Sequence, residues 1–573
     1  MLELVLNANR DVRRKAMMDT IREMQAQGIS KIYVLTPEQS TYVMDKECCS
    51  ELGNSFSNQY IQVVGFKRLA RLVYAQCGGY EELMDDGARL LAMTAAVDKV
   101  IKELDFYKAS ARRPDFLEML LSTYTTMKMH GVTLAMLAEA AKKMLEKEPG
   151  LGGKLSDLSK IYIEYEKLCA DGTKDATEEL THLNDILDER DFLTGTAWFV
   201  DGFTDFPMQQ FELLSTIIKK SAYVMLTLPA DGMNDASPAH QIPVQTAEML
   251  CKKFDAEIAD SQEETKVHPA LAALQKTLCS GEVVKNIAIP GAEKHIKLFC
   301  DPSPYQECQH IAGTIMKAIR NGYRYRDISI VLCEFDKYAP ILSTVCRRYG
   351  IPIYLDSQKD EIAKKPIMLA VFAALDSATR GMQTEHVLQY IKSGMCNLTT
   401  EECDTLETYV RAWLIHGNGW EPDESTGWTG HPDGYGHEFR GDDADRLKAI
   451  NEYRVRGLGP LIQLKDALKK DATVADYIMA LYNFLEEIHL TEHLQEIVDE
   501  LMDTDRDQLA MEYSQVSSVL NTAMEQMYGS IGHLEKSQGD FVKLFKLLCK
   551  AYKIATVPVS VDQIEVFSIG DAR

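Results

Sequence analysis

The sequence is poor in the two residues that interrupt regular structure. It holds 34 glycines and 18 prolines in 573 residues, below average usage. That excludes a collagenous, low-complexity or largely disordered chain and favours long helices. Long apolar runs are also missing. The longest, Ile367 to Leu375, falls far short of the roughly 20 residues that cross a bilayer. The opening Met1-Leu-Glu-Leu-Val has neither the basic segment nor the apolar core of a secretory signal. A soluble, cytoplasmic protein without membrane contact is expected. There is no Cys-x-x-Cys pair. Thirteen cysteines are scattered and only Cys48 and Cys49 adjoin, so reduced thiols are expected rather than a disulfide framework or a metal site. Positive charge is scarce as well. At a net charge of −24 the surface repels nucleic acid on average. Any DNA contact then needs a local basic groove, or a partner that supplies the positive field.

What is present is the balance of a folded protein, 46% hydrophobic and 26% charged. The length suggests about four domains, or two large ones with insertions. Leu2 to Leu6, Ile32 to Leu35 and Tyr60 to Val64 read as strands. Between them, Asp11 to Gln27 places Ala16, Met17, Ile21 and Met24 at helical spacing and ends at Gly28. Strands alternating with helices predict a parallel α/β sheet, whose ligands sit at the C-terminal strand ends. The loops there are Asn7 to Arg14, Thr36 to Thr41 and Gly65 to Arg71. From 81 to 192 the strand signal vanishes and helical stripes such as Leu155, Leu158, Tyr162, Tyr165 and Cys169 take over. The sheet resumes at Ala197 to Val200, followed by Asp201-Gly-Phe203, a helix from Met208 to Lys219 and a strand from Tyr223 to Leu228. A helicase core with an inserted subdomain and a Rossmann-type enzyme with a helical lid share this pattern.

A second α/β unit follows. Strands are expected at His295 to Phe299, Ile328 to Leu332 and Gly350 to Tyr354, with helices at Tyr305 to Asn321 and Phe335 to Tyr349. From about 361 to 553 the pattern is helical again, apart from an irregular stretch, His416 to Arg440, that holds Trp420 and Trp428. A late strand, Val561 to Phe567, would rejoin the second sheet but would need companions that the sequence does not supply. The chain therefore reads as a fragment, or as a product that has lost its C-terminal part. The expected division is a first lobe at 1–80 and 193–290 split by a helical insertion at 81–192. A second lobe follows at 291–358 and 557–573, split by a helical insertion at 359–556.

Several phrases in order resemble the AddB family, the second subunit of bacterial AddAB helicase–nucleases. They are Tyr33-Val-Leu-Thr-Pro-Glu-Gln39, Phe66-Lys-Arg-Leu-Ala70, Val200-Asp-Gly-Phe203 with Phe206-Pro-Met-Gln209, Gly322-Tyr-Arg-Tyr-Arg-Asp-Ile328, Tyr349-Gly-Ile-Pro352, Glu401-Glu-Cys-Asp404 and His431-Pro-Asp-Gly-Tyr-Gly436. The resemblance implies two superfamily 1 helicase lobes, each with a helical insertion. It also implies a C-terminal nuclease domain with an iron–sulfur cluster, which has no counterpart in these residues. It further implies an AddA-like helicase–nuclease partner and single-stranded DNA at a duplex end, in double-strand break repair by recombination.

A nucleotide site is expected to be degenerate. A P-loop needs glycines whose N–H groups wrap phosphates, a Lys, and a Ser or Thr for magnesium. Asn7-Ala-Asn-Arg-Asp-Val-Arg-Arg14 has no glycine, and Arg13 and Arg14 stand where the family usually has Lys-Ser/Thr. Asp201 matches a Walker B Asp, but Gly202 replaces the Glu that activates water, and Cys333 replaces the motif IV Arg. ATP and magnesium are thus not expected to be used here, and Asp201 is as readily a carboxylate capping the next turn. The resemblance places Gln39, Thr41, Phe66, Lys67, Arg68, Arg71 and Phe203 on the face that grips single-stranded DNA and, in the family, reads Chi. Arg71 departs from the Trp usual there. From the residues alone, Gln39 and Thr41 serve equally well as helix caps and Phe66 as core. Tyr323-Arg-Tyr-Arg326 is a pre-strand turn or a small nucleic-acid patch. His416, His431, His437, Asp442 and Asp443 share one loop without metal-ligand spacing. No acidic pair with a Lys on adjacent strands offers a nuclease site, so no catalytic residue and no metal ligand is expected. Two rival readings are an active ATP-dependent helicase or nuclease subunit and a stand-alone interaction scaffold.

Overall fold

The structure, a computed structural model, describes residues 2–570 apart from 30, 171–173, 260–267, 281–287, 356–359, 424–426, 469–471, 505 and 555–561. In the first lobe β1 (Leu2–Leu6), β2 (Ile32–Leu35), β3 (Ile61–Val64), β4 (Ala197–Val200), β5 (Tyr223–Leu228) and β6 (Glu257–Ala259) form one sheet. Its order is β3-β2-β4-β5-β1-β6 and every pairing is parallel. β2, β4 and β5 are buried along their whole length, as expected of a parallel sheet covered on both faces. The register Leu35↔Val64 and Leu35↔Val200 brings the loops after β2, β3 and β4 to one edge.

The helices of this lobe begin where the sequence supplies caps. α1 (Arg10–Ala26) starts at Asn9, whose side chain accepts from Asp11 N–H, and gives way to Gly28 at φ 84°. α2 (Thr41–Leu52) and α3 (Asn54–Tyr60) link β2 to β3, and α4 (Phe66–Cys77) leaves β3. The first insertion comprises α5 (Asp86–Val100), α6 (Pro114–Met129), α7 (Leu134–Lys147), α8 (Pro149–Ala170) and α9 (Glu179–Glu189). After β4, α10 (Met208–Lys220) returns to the sheet.

α5 has two allegiances. Leu90, Met93, Ala96 and Val97 lie in the core of the first insertion, while Leu91 lies in the core of the second. Conversely Leu547, in helix Gln538–Ala551, joins the first core. Asp85 and Asp98 at the two ends of α5 bond Gln526 and Lys536.

The second lobe is a three-stranded parallel sheet ordered β7 (Ser329–Leu332), β11 (Ile564–Ser568), β8 (Ile353–Leu355). The late strand does rejoin this sheet, but the expected want of companions is corrected: β11 is the central strand, flanked by β7 and β8 from its own chain. Its expected first residue, Val561, lies outside the described residues. β9 (Asp360–Glu361) pairs antiparallel with β10 (Lys553–Ile554) where the second insertion leaves and returns. A second correction concerns His295 to Phe299. Ala292–His295 is a single helical turn, and residues 296–300 join no ladder among the described residues. Leu298 is 96% exposed. Apolar alternation makes a strand only where a neighbouring backbone takes up its hydrogen bonds. Among the described residues, no helix is long and apolar enough to cross a membrane.

Candidate functional site at the strand ends of the first lobe

The loop after β1 turns its own backbone inward. Asn7 N–H bonds the Leu228 carbonyl at 3.3 Å, Ala8 N–H the Asp231 carboxylate at 3.0 Å, Asn9 N–H the Asn7 side chain at 2.8 Å, and Asp11 N–H the Asn9 side chain at 2.8 Å. Those amides are the groups that a phosphate would need. Beneath the loop, the buried Arg13 guanidinium donates to the carbonyls of Asn7 at 2.5 Å and Ala8 at 3.2 Å. The loop thus presents oxygens, not N–H groups, to its interior.

Arg14 fills the rest of the space. Its Nε lies 3.4 Å from Asp201 Oδ2 and its Nη1 contacts Glu47. Asp201 is buried and also accepts from the Thr227 hydroxyl. Burial pushes both arginines below their usual range, and Asp201 opposes the shift in each. Gly202 has φ 86°, and a Cβ there would meet Pro37 Cδ at 3.1 Å. A Glu after Asp201 would strain this turn. Asn7, Arg13, Arg14 and Asp201 are brought together, as a charge cluster bonded largely within itself, with Arg13 Nε left without a hydrogen-bond partner among the described residues. The residues present do not fit ATP with magnesium.

The residues expected to face DNA lie on the adjoining loops after β2, β3 and β4. Gln39, Lys67, Arg68 and Arg71 are exposed, and Phe203 is half-buried. Phe66 is 7% exposed and belongs to the lobe's core, its ring centroid 5.7 Å from that of Phe203 in an edge-on arrangement. Phe203 in turn lies 5.1 Å from Phe206. Thr41 Oγ1 donates to the Glu38 carbonyl at 2.9 Å, a local turn bond. The core reading describes Phe66; Thr41 makes a turn bond and caps no helix, since α2 starts at Ser40 without a side-chain cap, and the exposed surface is Gln39 with the three basic residues and the rim of Phe203.

Sequence reasoning missed the acids set among these bases. Glu38 Oε1 accepts from Lys67 N–H at 2.7 Å. Burial raises the Glu179 carboxyl above its usual range, against the pull of Lys67 and Arg71 and with a push from Glu38. Glu47 pairs with Arg14 and lies 3.6 Å from Arg10. One signal was available: α4 starts at Gly65 without a side-chain cap, so its first amides need an acceptor from elsewhere.

The irregular loop is ordered around aromatic packing. Tyr409 stacks on Trp428 at 5.1 Å, and Trp420 is wholly buried. His431, Asp433 and Asp443 converge there, but Arg446 already bonds both carboxylates, at 2.7 and 3.1 Å. His431 Nδ1 accepts from Asp433 N–H at 3.1 Å and Nε2 faces Asp443 at 3.1 Å. The cluster holds its own cation. Among the described residues, no three cysteines converge, so nothing here fits an iron–sulfur cluster. Tyr323 is exposed, and Arg324 N–H and Arg326 N–H bond Asp327 and Asp562 in the turn before β7.

A family profile described as "ADDB, N-terminal" matches residues 11–273. Residues 11–273 belong to the AddB family. The match covers β2 to β6 and the first insertion, and so includes Arg13, Arg14, Asp201 and the whole basic face. Beyond it, the AddB likeness extends over nearly the entire chain. The second subunit (AddB) of the ATP-dependent helicase/deoxyribonuclease of Clostridium acetobutylicum is 26% identical over 563 residues, 95% of this chain and 48% of that protein. The corresponding subunits from Clostridioides difficile and Ruminiclostridium cellulolyticum are 25% and 27% identical, covering 99% and 95% of this chain and 50% and 48% of theirs. The chain spans about half the length of the curated relatives it matches.

Proposed function

We propose that this chain guides single-stranded DNA as the non-hydrolysing subunit of an AddAB-type helicase–nuclease, acting with an AddA-like partner at DNA duplex ends in recombinational break repair. One observation carries the reading. At the strand ends, Arg13, Arg14 and Asp201 converge under a glycine-free loop, several of whose amides are already hydrogen-bonded. Beside it, Lys67, Arg68 and Arg71 stand exposed on a chain of net charge −24. Local positive charge at a sheet edge, with Gln39 and the rim of Phe203 adjacent, suits phosphate contact with base stacking. Glu38 and Glu179 temper that charge, so affinity without the partner is expected to be micromolar or weaker.

The test is an ATPase assay on the purified chain with and without single-stranded DNA, alongside titration with a fluorescent oligonucleotide. The expected result is salt-sensitive binding without turnover. Turnover above ~0.1 per second, against ordinary enzyme rates of about 1–1000 per second, that vanishes in Asp201→Ala would establish an active motor instead. Absence of any DNA binding at low salt would favour the interaction-scaffold reading.

A further inference from the structure

We propose that Glu38 is a positioning residue of the single-strand track, clasping the loop after β2 to the start of α4 so that Gln39 and the Lys67-Arg68 pair are held at one spacing. This rests on the DNA-guiding reading above. Glu38 Oε1 accepts the Lys67 N–H at 2.7 Å, adding to the Thr36 N–H···Val64 carbonyl bond at 3.0 Å a side-chain tie between the loop after β2 and the start of α4. The carboxylate lies so close over Gly65 that a Cβ there would overlap it. Gly65 has φ −96°, which any residue adopts, so the glycine serves the approach of Glu38 and not its own backbone. α4 has no side-chain cap of its own, and an acid at a helix start is favoured by the aligned peptide dipoles. On the other side of the clasp, the Glu38 carbonyl accepts from Thr41 Oγ1 at 2.9 Å, closing the turn that contains Gln39. Gln39 follows Glu38 directly, and Lys67 is the residue whose amide Glu38 holds. The tip of the loop after β2 is thereby fixed to the first turn of α4.

The variants separate clasping from charge. Glu38→Gln keeps an oxygen acceptor for the Lys67 amide and removes a negative charge from the track. Glu38→Ala removes both. Gly65→Ala leaves Glu38 in place but expels its carboxylate. Binding of a fluorescein-labelled oligothymidylate is read by anisotropy across a salt series. Millisecond hydrogen exchange of the peptide holding Lys67 is read in parallel. The expected result is a loss of about five- to tenfold in affinity for Glu38→Ala and Gly65→Ala with an unchanged salt slope. Glu38→Gln should bind as the wild type or more tightly. The Lys67 amide should exchange faster in the two weakened variants only. Wild-type affinity in Glu38→Ala, or unchanged Lys67 exchange in it, overturns the proposal. A wild-type chain that binds no oligonucleotide overturns the DNA-guiding reading and this role with it, while the exchange result still decides whether the clasp exists.

Discussion

Arg14→Ala should destabilise the first lobe by about 3 kcal/mol. Arg14 and Asp201 are 12% and 3% exposed in their side chains, and Nε lies 3.4 Å from Oδ2. At an effective dielectric of ~20, a pair at that distance attracts with about 5 kcal/mol. Desolvating the two ions offsets several kcal/mol each, so the intact pair contributes little net stability. Removing one partner is different. Asp201 stays buried with only the Thr227 hydroxyl and the more distant Arg13, and such orphaned charges cost about 3–5 kcal/mol. Glu47, half-buried, still has Arg10, which places the estimate at the low end. The assay is urea unfolding followed by hydrogen exchange in peptides from β1 and β4, which report this lobe apart from the helical blocks. Adding Asp201→Asn to Arg14→Ala should restore about 2 kcal/mol, because the buried charge is gone. A loss below ~1 kcal/mol in Arg14→Ala would refute the reasoning. So would stabilisation of the wild type by Mg-ATP, which would make Asp201 a metal ligand that Arg14 merely shadows.

Replacing Arg68 and Arg71 by Ala should flatten the log–log salt dependence of single-strand binding by roughly 1–2 units, at ~0.7 per released counterion; an unchanged slope places the phosphates elsewhere. The Glu179 carboxyl is raised above the ordinary 4.5 mainly by burial, so its charged form costs stability above the raised value. The cost is relieved as pH falls through that value and is gone below 4.5. Over the same interval DNA binding should tighten, as Lys67 and Arg71 lose an opposing charge, and Glu179→Gln should abolish that part of the pH dependence. Zinc and EDTA should leave thermal stability of the second insertion unmoved, since Arg446 occupies the His431 cluster; a zinc-dependent rise in melting temperature would show that a metal displaces it.

The strands most plainly legible are those whose every residue is buried. Ile32–Leu35, Ala197–Val200 and Tyr223–Leu228 are short apolar runs bounded by turn residues, and both faces of the sheet need them. β6 was not legible because Glu257–Ala259 is a three-residue edge strand with no buried residue. Residues 295–299 misled for the opposite reason, carrying a strand's alternation without a neighbour to satisfy it. β11 was recognised as a strand, but its central place depends on β7 and β8, more than 200 residues earlier, and pairing over that distance leaves no local trace. In the site, the clustering of Lys67, Arg68 and Arg71 was plain because they share one helix. Their counter-charges Glu38 and Glu179 come from other elements, and only the uncapped start at Gly65 hinted at one of them.

The double allegiance of α5 has a consequence for biosynthesis. Asp85 and its partner Gln526 are 441 residues apart, and Asp98 and Lys536 are 438 apart. At about 5–20 residues per second, the ribosome needs roughly 20–90 s to deliver the second half of that contact. During this interval α5 can pack Leu90, Met93 and Val97 into the first insertion's core, which still lacks Leu547, while Leu91 waits for the core of the second insertion. Every nascent chain therefore leaves Leu91 without its final packing for a time far longer than helix formation or hydrophobic collapse takes. Ribosomal stalling between residue 100 and residue 516 would prolong that interval.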